Sequence, residues 1–336
     1  MVVDVALLIL SLGVILLASV LFTNAIEVLG KRLGASEGVV GSILAAVGTA
    51  MPETVIPLIA IFWVGDIQAK DVAVGAIAGA PFMLATLAFF VTGAAVAVYG
   101  FTGRRERGVN ADLRGFKRDL SFFVVLYAAA LSTTFVHVFA LRVAVAACLA
   151  ASYVVYVKVT VSAEALSLGD VEKLYFARVT RLGESTTLTC VQLAASLAVM
   201  MLGGHMFVVE VEQLACLAGV SPLVLSLILA PVATELPEKF NSVIWVGRGK
   251  DTLALGNITG AMVFQCSFPV AIGIVWTPWN LLENKGVTFS SGVLALSSAL
   301  GVLAWVRLRG TLPRWVLMMG GVFYAAFIAF VLIHVR

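Results

Sequence analysis

Charge is what this sequence has least of. Only 12% of its 336 residues are Asp, Glu, Lys or Arg, about half of the roughly 25% usual in soluble domains. The shortage excludes a disordered tail and a charge-laced coiled coil. Cysteine is nearly as scarce. The four residues Cys148, Cys190, Cys216 and Cys266 sit in or beside apolar segments without metal-ligand spacing, which excludes a secreted disulfide scaffold and reads as packing. Three histidines, His137, His205 and His334, form no cluster and receive no chemistry. The net charge of +3 carries little information by itself; its placement carries more.

In place of charge stands apolar surface, 61% of the residues, with a mean hydropathy of +1.06. A soluble core cannot absorb that much, so the chain reads as an all-α integral membrane protein. A transmembrane barrel is excluded, because the apolar runs are long and continuous rather than alternating over about ten residues. The N-terminal run continues past Leu21 without a basic region before it, unlike a cleavable signal. A bilayer helix needs about 20 apolar residues. Ten spans are expected, at 3–29, 38–63, 72–99, 120–140, 142–160, 187–209, 221–246, 252–275, 287–306 and 315–335.

The basic residues orient these spans. Loops on the side of the N-terminus hold four (Lys70, Arg142, Lys285, Arg336), loops on the other side hold seventeen, and Lys239 lies inside a span. The positive-inside rule then puts both termini outside and the 158–186 connection in the cytoplasm. The expected localisation is the cell membrane, multi-pass. The bilayer itself is the expected partner; neither nucleic acid nor a protein partner is called for. The basic 101–119 segment reads as a topology determinant.

The chain also repeats itself. Residues 22–53 laid on 207–238 are identical at 13 of 32 positions, including Glu27/Glu212, Thr49/Thr234, Pro52/Pro237 and Glu53/Glu238. Further on, at an offset of 181, Gly75 falls on Gly256 and Gly79 on Gly260. The expected organisation is a first five-helix repeat at 1–160, a cytoplasmic connecting loop at 161–186 and a second repeat at 187–336. Five is odd, so the second copy enters the membrane from the opposite side. Inverted-topology repeats of this kind typify secondary transporters, whose sites lie near the midplane.

The chemistry sits in the duplicated segment. The second span carries Gly48-Thr49-Ala50-Met51-Pro52-Glu53 and the seventh Ala233-Thr234-Glu235-Leu236-Pro237-Glu238-Lys239. Proline removes a backbone donor, so a break or kink is expected in each helix. Freed carbonyls, the hydroxyls of Thr49 and Thr234 and the carboxylates of Glu53 and Glu238 would supply oxygen at mid-depth. Carboxylates there are costly and functional by default. Hard oxygen ligands suit Ca²⁺, which takes six to eight of them; Na⁺ or H⁺ could compete for the same atoms. Glu235 and Lys239 share a helix face at i and i+4, an expected ion pair, with Lys239 swinging to Glu238 as the alternative. Asn257 is the expected extra ligand in the following helix, where Gln265 and Ser267 are also polar. Glu27 and Glu212 would collect cations at the two mouths.

At these residues the chain resembles the cation/Ca²⁺ exchanger superfamily, marked by two inverted repeats that each carry a Gly-Thr-Ser-x-Pro-Glu-like and a Gly-Asn-x-x-Gly-Ser-Asn-like element. The Ala-Thr-Glu-Leu-Pro-Glu-Lys stretch is similar to the prokaryotic sodium:calcium antiporter branch. The resemblance implies a secondary active antiporter exchanging Ca²⁺ for Na⁺ or H⁺ by alternating access. Glu53 and Glu238 would hold Ca²⁺, Thr49 and Thr234 would complete the shell, and the first and sixth helices would slide. No cofactor is implied. Two departures bear on coupling. Ala76 and Ala80 replace polar residues in the first copy, and Ala261-Met262 follow Gly260 in the second, leaving fewer sodium ligands. The alternatives are a cation channel or uniporter, or an exchanger of another cation. An intramembrane enzyme is not expected, because the aspartates lie in loops or at span ends and no nucleotide-binding loop appears.

Overall fold

A computed structural model describes residues 2–32, 50–105, 108–163, 173–180, 183 and 185–334; the side chains of 161–163, 180, 233, 236–241 and 334 lie outside that description. Its elements are helices: α1 (Val2–Arg32), α2 (Met51–Ile59), α3 (Ile67–Met83), α4 (Phe89–Phe101), α5 (Leu113–Ser132), α6 (Phe139–Ala163), α7 (Tyr175–Thr180), α8 (Thr186–Ala218), α9 (Pro222–Gly247), α10 (Asp251–Gln265), α11 (Phe268–Trp276), α12 (Glu283–Arg309) and α13 (Arg314–His334). Seven helical stretches are long and apolar enough to cross a bilayer. Large apolar side chains stand out from them at Leu17, Leu202, Val155 and Val322, as a lipid-facing surface requires.

Local chemistry marks the helix ends. Asp66 accepts the Ala69 N–H at 2.7 Å and opens α3; Asp112 accepts the Arg114 N–H at 2.9 Å and opens α5. A π-helical turn, Leu84–Ala88, joins α3 to α4 just past Pro81, whose missing N–H disturbs the ladder. Val287 is where α12 becomes regular, because Asn284, Lys285 and Gly286 before it are left-handed.

Three boundaries differ from expectation. α5 starts at Leu113, so Asp119 lies inside a helix and is buried rather than at a span end. The fourth and fifth spans divide at 133–138, earlier than hydropathy suggested, because a 3₁₀ turn at Thr133–Phe135 closes α5. α8 runs on to Ala218, nine residues beyond its expected end. Hydropathy follows side chains, whereas a helix continues until its backbone is capped, here by left-handed Gly219 (φ 66°).

Contacts between distant segments tie the helices together: Arg105 with Asp251, Arg307 with Ser121, Asn24 with Lys173, Arg142 with Ile274 and Phe62 with Trp276. Apolar packing falls into two main bodies. One joins α3–α6 to α9–α13. The second joins α1 and α8 to α2 and the start of α3. Within it α1 and α8 run antiparallel, and Gly203 and Gly204 let Val14, Ile15 and Ile59 approach the α8 backbone. The short α7 docks on this pair through buried amides: Gln192 donates to Leu21 O at 2.8 Å and accepts the Phe176 N–H at 2.8 Å, while Asn24 accepts the Tyr175 N–H at 3.1 Å.

Candidate functional site

α2 begins at Met51 with Pro52 in its first turn, where a missing N–H costs nothing because those donors have no helical partner. Glu53 follows in the same first turn and is buried, 7% exposed. Its carboxylate therefore sits at the N-terminal end of α2. Thr54 donates to Ala50 O at 2.8 Å. Thr49 lies outside the described residues.

The second copy lies on α9. Thr234 is buried and donates to Ala230 O at 3.0 Å. Glu235, 1% exposed, accepts a hydrogen bond from Gln265 Nε2 at 3.4 Å. Glu238 belongs to the same helix, but its side chain and that of Lys239 lie outside the described residues, so the expected Glu235–Lys239 ion pair does too. Ala230, one turn before Thr234, shares an apolar cluster with Val55 and Ile56 beside Glu53. The start of α2 and the Ala230 turn of α9 thus share one apolar cluster.

Of the break or kink expected at the prolines, the second copy has no break: α9 continues from Pro222 to Gly247 through Pro231 and Pro237. Pro231 cannot donate to Leu227 O, but α3 covers that carbonyl: a Cβ at Gly79 would stand 2.2 Å from it and 2.7 Å from Pro231 Cγ. A neighbouring backbone lies over the freed carbonyl, and the helix continues. Leu227 O therefore faces α3 instead of an ion.

The following helices differ as the sequence indicated. On α3, Ala76 and Ala80 are buried and present methyl groups. On α10, Asn257 is half-buried, whereas Gln265 is buried, with its Oε1 meeting no donor among the described residues. Gln265, one polar residue among several in sequence, is the one that reaches Glu235. Its signal was an amide in an apolar run. Glu27 and Glu212 are both half-buried, neither fully solvated. Among the described residues no group of three or more His, Cys, Asp or Glu converges.

Sequence alone missed the polar ties that hold α10. Asp251 receives Arg105 at 2.6 Å through both guanidinium nitrogens and the Asn110 N–H at 2.8 Å. Farther along, Thr259 donates to buried Asp119 at 2.7 Å, and Asp119 also accepts from Arg118 Nε at 3.1 Å.

A carboxylate duplicated in sequence, buried at Glu53 and joined by buried Glu235 in an apolar helical bundle, calls for a comparison with known ion carriers. Residues 3–161 and 188–336 match the family described as sodium/calcium exchanger protein. The chain belongs to that family. Its members are transporters, and the chain is a multi-pass protein of the cell membrane within the cation/Ca²⁺ exchanger superfamily. Inner membrane protein YrbG of Escherichia coli (strain K12) is 25% identical over 308 residues, 90% of this chain and 89% of YrbG. Among solved structures, an H⁺/Ca²⁺ exchanger, CAX, superimposes with a TM-score of 0.72 at 16% identity, covering 98% of this chain and 82% of that one. The sodium-calcium exchanger NCX_Mj superimposes at 0.58 with 17% identity, covering 98% of both. At such identities the two structures share this chain's exchanger fold, and the fold alone is compared.

Proposed function

We propose that this family member is a secondary active antiporter that exchanges Ca²⁺ for Na⁺ or H⁺ by alternating access. Glu53 and Glu238 hold Ca²⁺ near mid-depth, with Thr49, Thr234, Asn257 and Glu235 around them. The observation that carries this reading is Glu53, buried in the first turn of α2, whose Val55 and Ile56 share an apolar cluster with Ala230 of α9, one turn before buried Thr234 and Glu235. A divalent cation there neutralises carboxylates that would otherwise repel in a medium of low dielectric.

The proposed frame has ten spans in two inverted five-helix repeats, 1–160 and 187–336, both termini outside and the 161–186 connection in the cytoplasm. Mirrored packing supports it. α5 lies on α10 as α12 lies on α3, and α6 lies on α11 as α13 lies on α4. The π-helical turn at Leu84–Ala88, carried forward by 181 residues, falls on 265–269, where α10 gives way to α11. α1 and α8 act as the sliding element, which the small residues Gly203 and Gly204, set against Val14, Ile15 and Ile59, support. In this frame α7, bound to both helices through Asn24 and Gln192, travels with them.

⁴⁵Ca²⁺ flux into proteoliposomes under an imposed Na⁺ or H⁺ gradient tests the reading. Uptake that follows either gradient names the coupling ion; uptake indifferent to both indicates a channel and overturns the antiporter. Glu53→Gln and Glu238→Gln should each abolish exchange, a loss of at least about a hundredfold for a lost charged ligand, with unchanged gel-filtration profiles. Full transport by either variant sinks the site.

A further inference from the structure

Far from the carboxylates, a cavity of about 370 Å³ opens at the face where α5 ends and α6 begins. Volumes of this size accommodate small ligands. It lies between the Thr133–Phe135 turn, the first turn of α6 and the segment after α11, and its polar walls are built largely from hydrogen-bond donors.

Arg142 is the anchor. Its Nη2 donates to Ile274 O at 2.8 Å and to Pro278 O at 3.2 Å, which fixes the guanidinium against the C-terminal end of α11. Its Nε–H is buried and meets no acceptor among the described residues. Trp279, 2% exposed, lines the same cavity from a left-handed backbone (φ 47°) that bulky residues rarely adopt. Its ring is wedged over Gly273, where a Cβ would come within 2.5 Å of Cζ3. The indole Nε1–H, so positioned, also meets no acceptor among the described residues, and neither does the buried Thr134 hydroxyl. The three residues that carry these buried donors thus line one cavity, one of them a permanent cation. Among the described residues no carboxylate lines it. Glu283, just outside, is exposed and accepts from Asn280 Nδ2 at 2.8 Å.

Buried donors without acceptors are costly, and charge-assisted bonds to an oxyanion are among the strongest remedies. The geometry points to a binding site for a phosphate-class oxyanion, gripped by Arg142 Nε, Trp279 Nε1 and Thr134 Oγ1. Phe135 of the lining and, near it in sequence, Val138 and Phe139 stand exposed, 58–62% each, and form an apolar shelf. The shelf suits acyl chains, so the phosphate of a lipid headgroup and free phosphate are the two sources to distinguish. The site is independent of the proposed transport reaction.

The test uses delipidated, purified full-length protein and native mass spectrometry with phosphatidylglycerol, set against dioleoylglycerol, which lacks the phosphate. A parallel arm measures thermal stabilisation by inorganic phosphate against chloride at equal ionic strength. Thr134→Val and Trp279→Phe each delete one donor at nearly constant shape, and Arg142→Gln deletes the charge. A lipid site predicts retention of phosphatidylglycerol but not dioleoylglycerol, weakened about fivefold by Thr134→Val or Trp279→Phe and about tenfold or more by Arg142→Gln. A free-anion site predicts stabilisation by inorganic phosphate with the same ordering and no preference for the lipid. Binding that Thr134→Val and Trp279→Phe both leave unchanged, or no binding in either arm, overturns the proposal. Because Trp279→Phe and Arg142→Gln also touch packing, the partly exposed Thr134 variant keeps the test decisive if they fail to fold.

Discussion

α3 and α10 are counterparts in the two halves of the sequence, yet opposite forces hold them. α3 is held by closeness. Gly75 and Gly79 lay its backbone on α9, where a Cβ at Gly75 would stand 2.3 Å from Leu223 O, and its interior is mostly alanine and larger apolar residues. Ser226 adds one hydrogen bond, to Val72 O at 2.6 Å. α10 is held by charge and hydrogen bonds: Arg105 on Asp251, the Asp112 N–H on Thr252 at 2.9 Å, Thr259 on Asp119 and Gln265 on Glu235. The comparison teaches that a duplicated element can keep its place while exchanging the physics that secures it. The copy secured by polar groups is also the one that retains candidate ligands.

Four single substitutions and one double variant probe the contrast, the single ones running from the largest effect to the smallest. Gly79→Val should separate α3 from α9 and leave little monodisperse protein on gel filtration, because the side chain would have to enter the space of a backbone carbonyl. Asp251→Ala removes the carboxylate from a guanidinium only 6% exposed and leaves it two backbone carbonyls, Val246 O and Gly108 O; a loss of about 3 kcal/mol is expected in chemical denaturation. Arg105→Met combined with Asp251→Leu should recover most of it, since an apolar pair leaves no buried charge. Thr259→Val removes one donor from buried Asp119 and should cost about 1–2 kcal/mol. Thr252→Ala loses an exposed bond and should cost about 0.5 kcal/mol or less. Equal losses from Thr252→Ala and Asp251→Ala would remove the distinction between a clasp and an ornament. Normal assembly of Gly79→Val would show that close approach is not what secures α3.

Much of the fold was legible in the sequence because its signals are local. Apolar run length exposed the all-helical membrane character, and the repeated Thr-x-x-Pro-Glu exposed the candidate residues. The missed boundaries, 133–138 and the extension of α8 to Ala218, were set by backbone capping rather than by side-chain polarity. The continuity of α9 was not legible either, because it depends on Gly79, a residue 152 positions before Pro231 that lies over the carbonyl the proline frees. Arg105 and Asp251 are 146 residues apart, and neither has a distinctive neighbourhood in sequence.

By itself the sequence determined that the chain lives in a bilayer, that it contains a duplication and that Glu53 and Glu238 occupy equivalent places. Each follows from composition, run length or self-comparison, which require no knowledge of what touches what. Tertiary structure alone decided that Gln265 is the amide at Glu235, that Asp251 and Asp119 clasp α10, and that Arg142, Trp279 and Thr134 line one cavity. Those outcomes depend on distance between segments far apart in the chain, and only packing sets that distance.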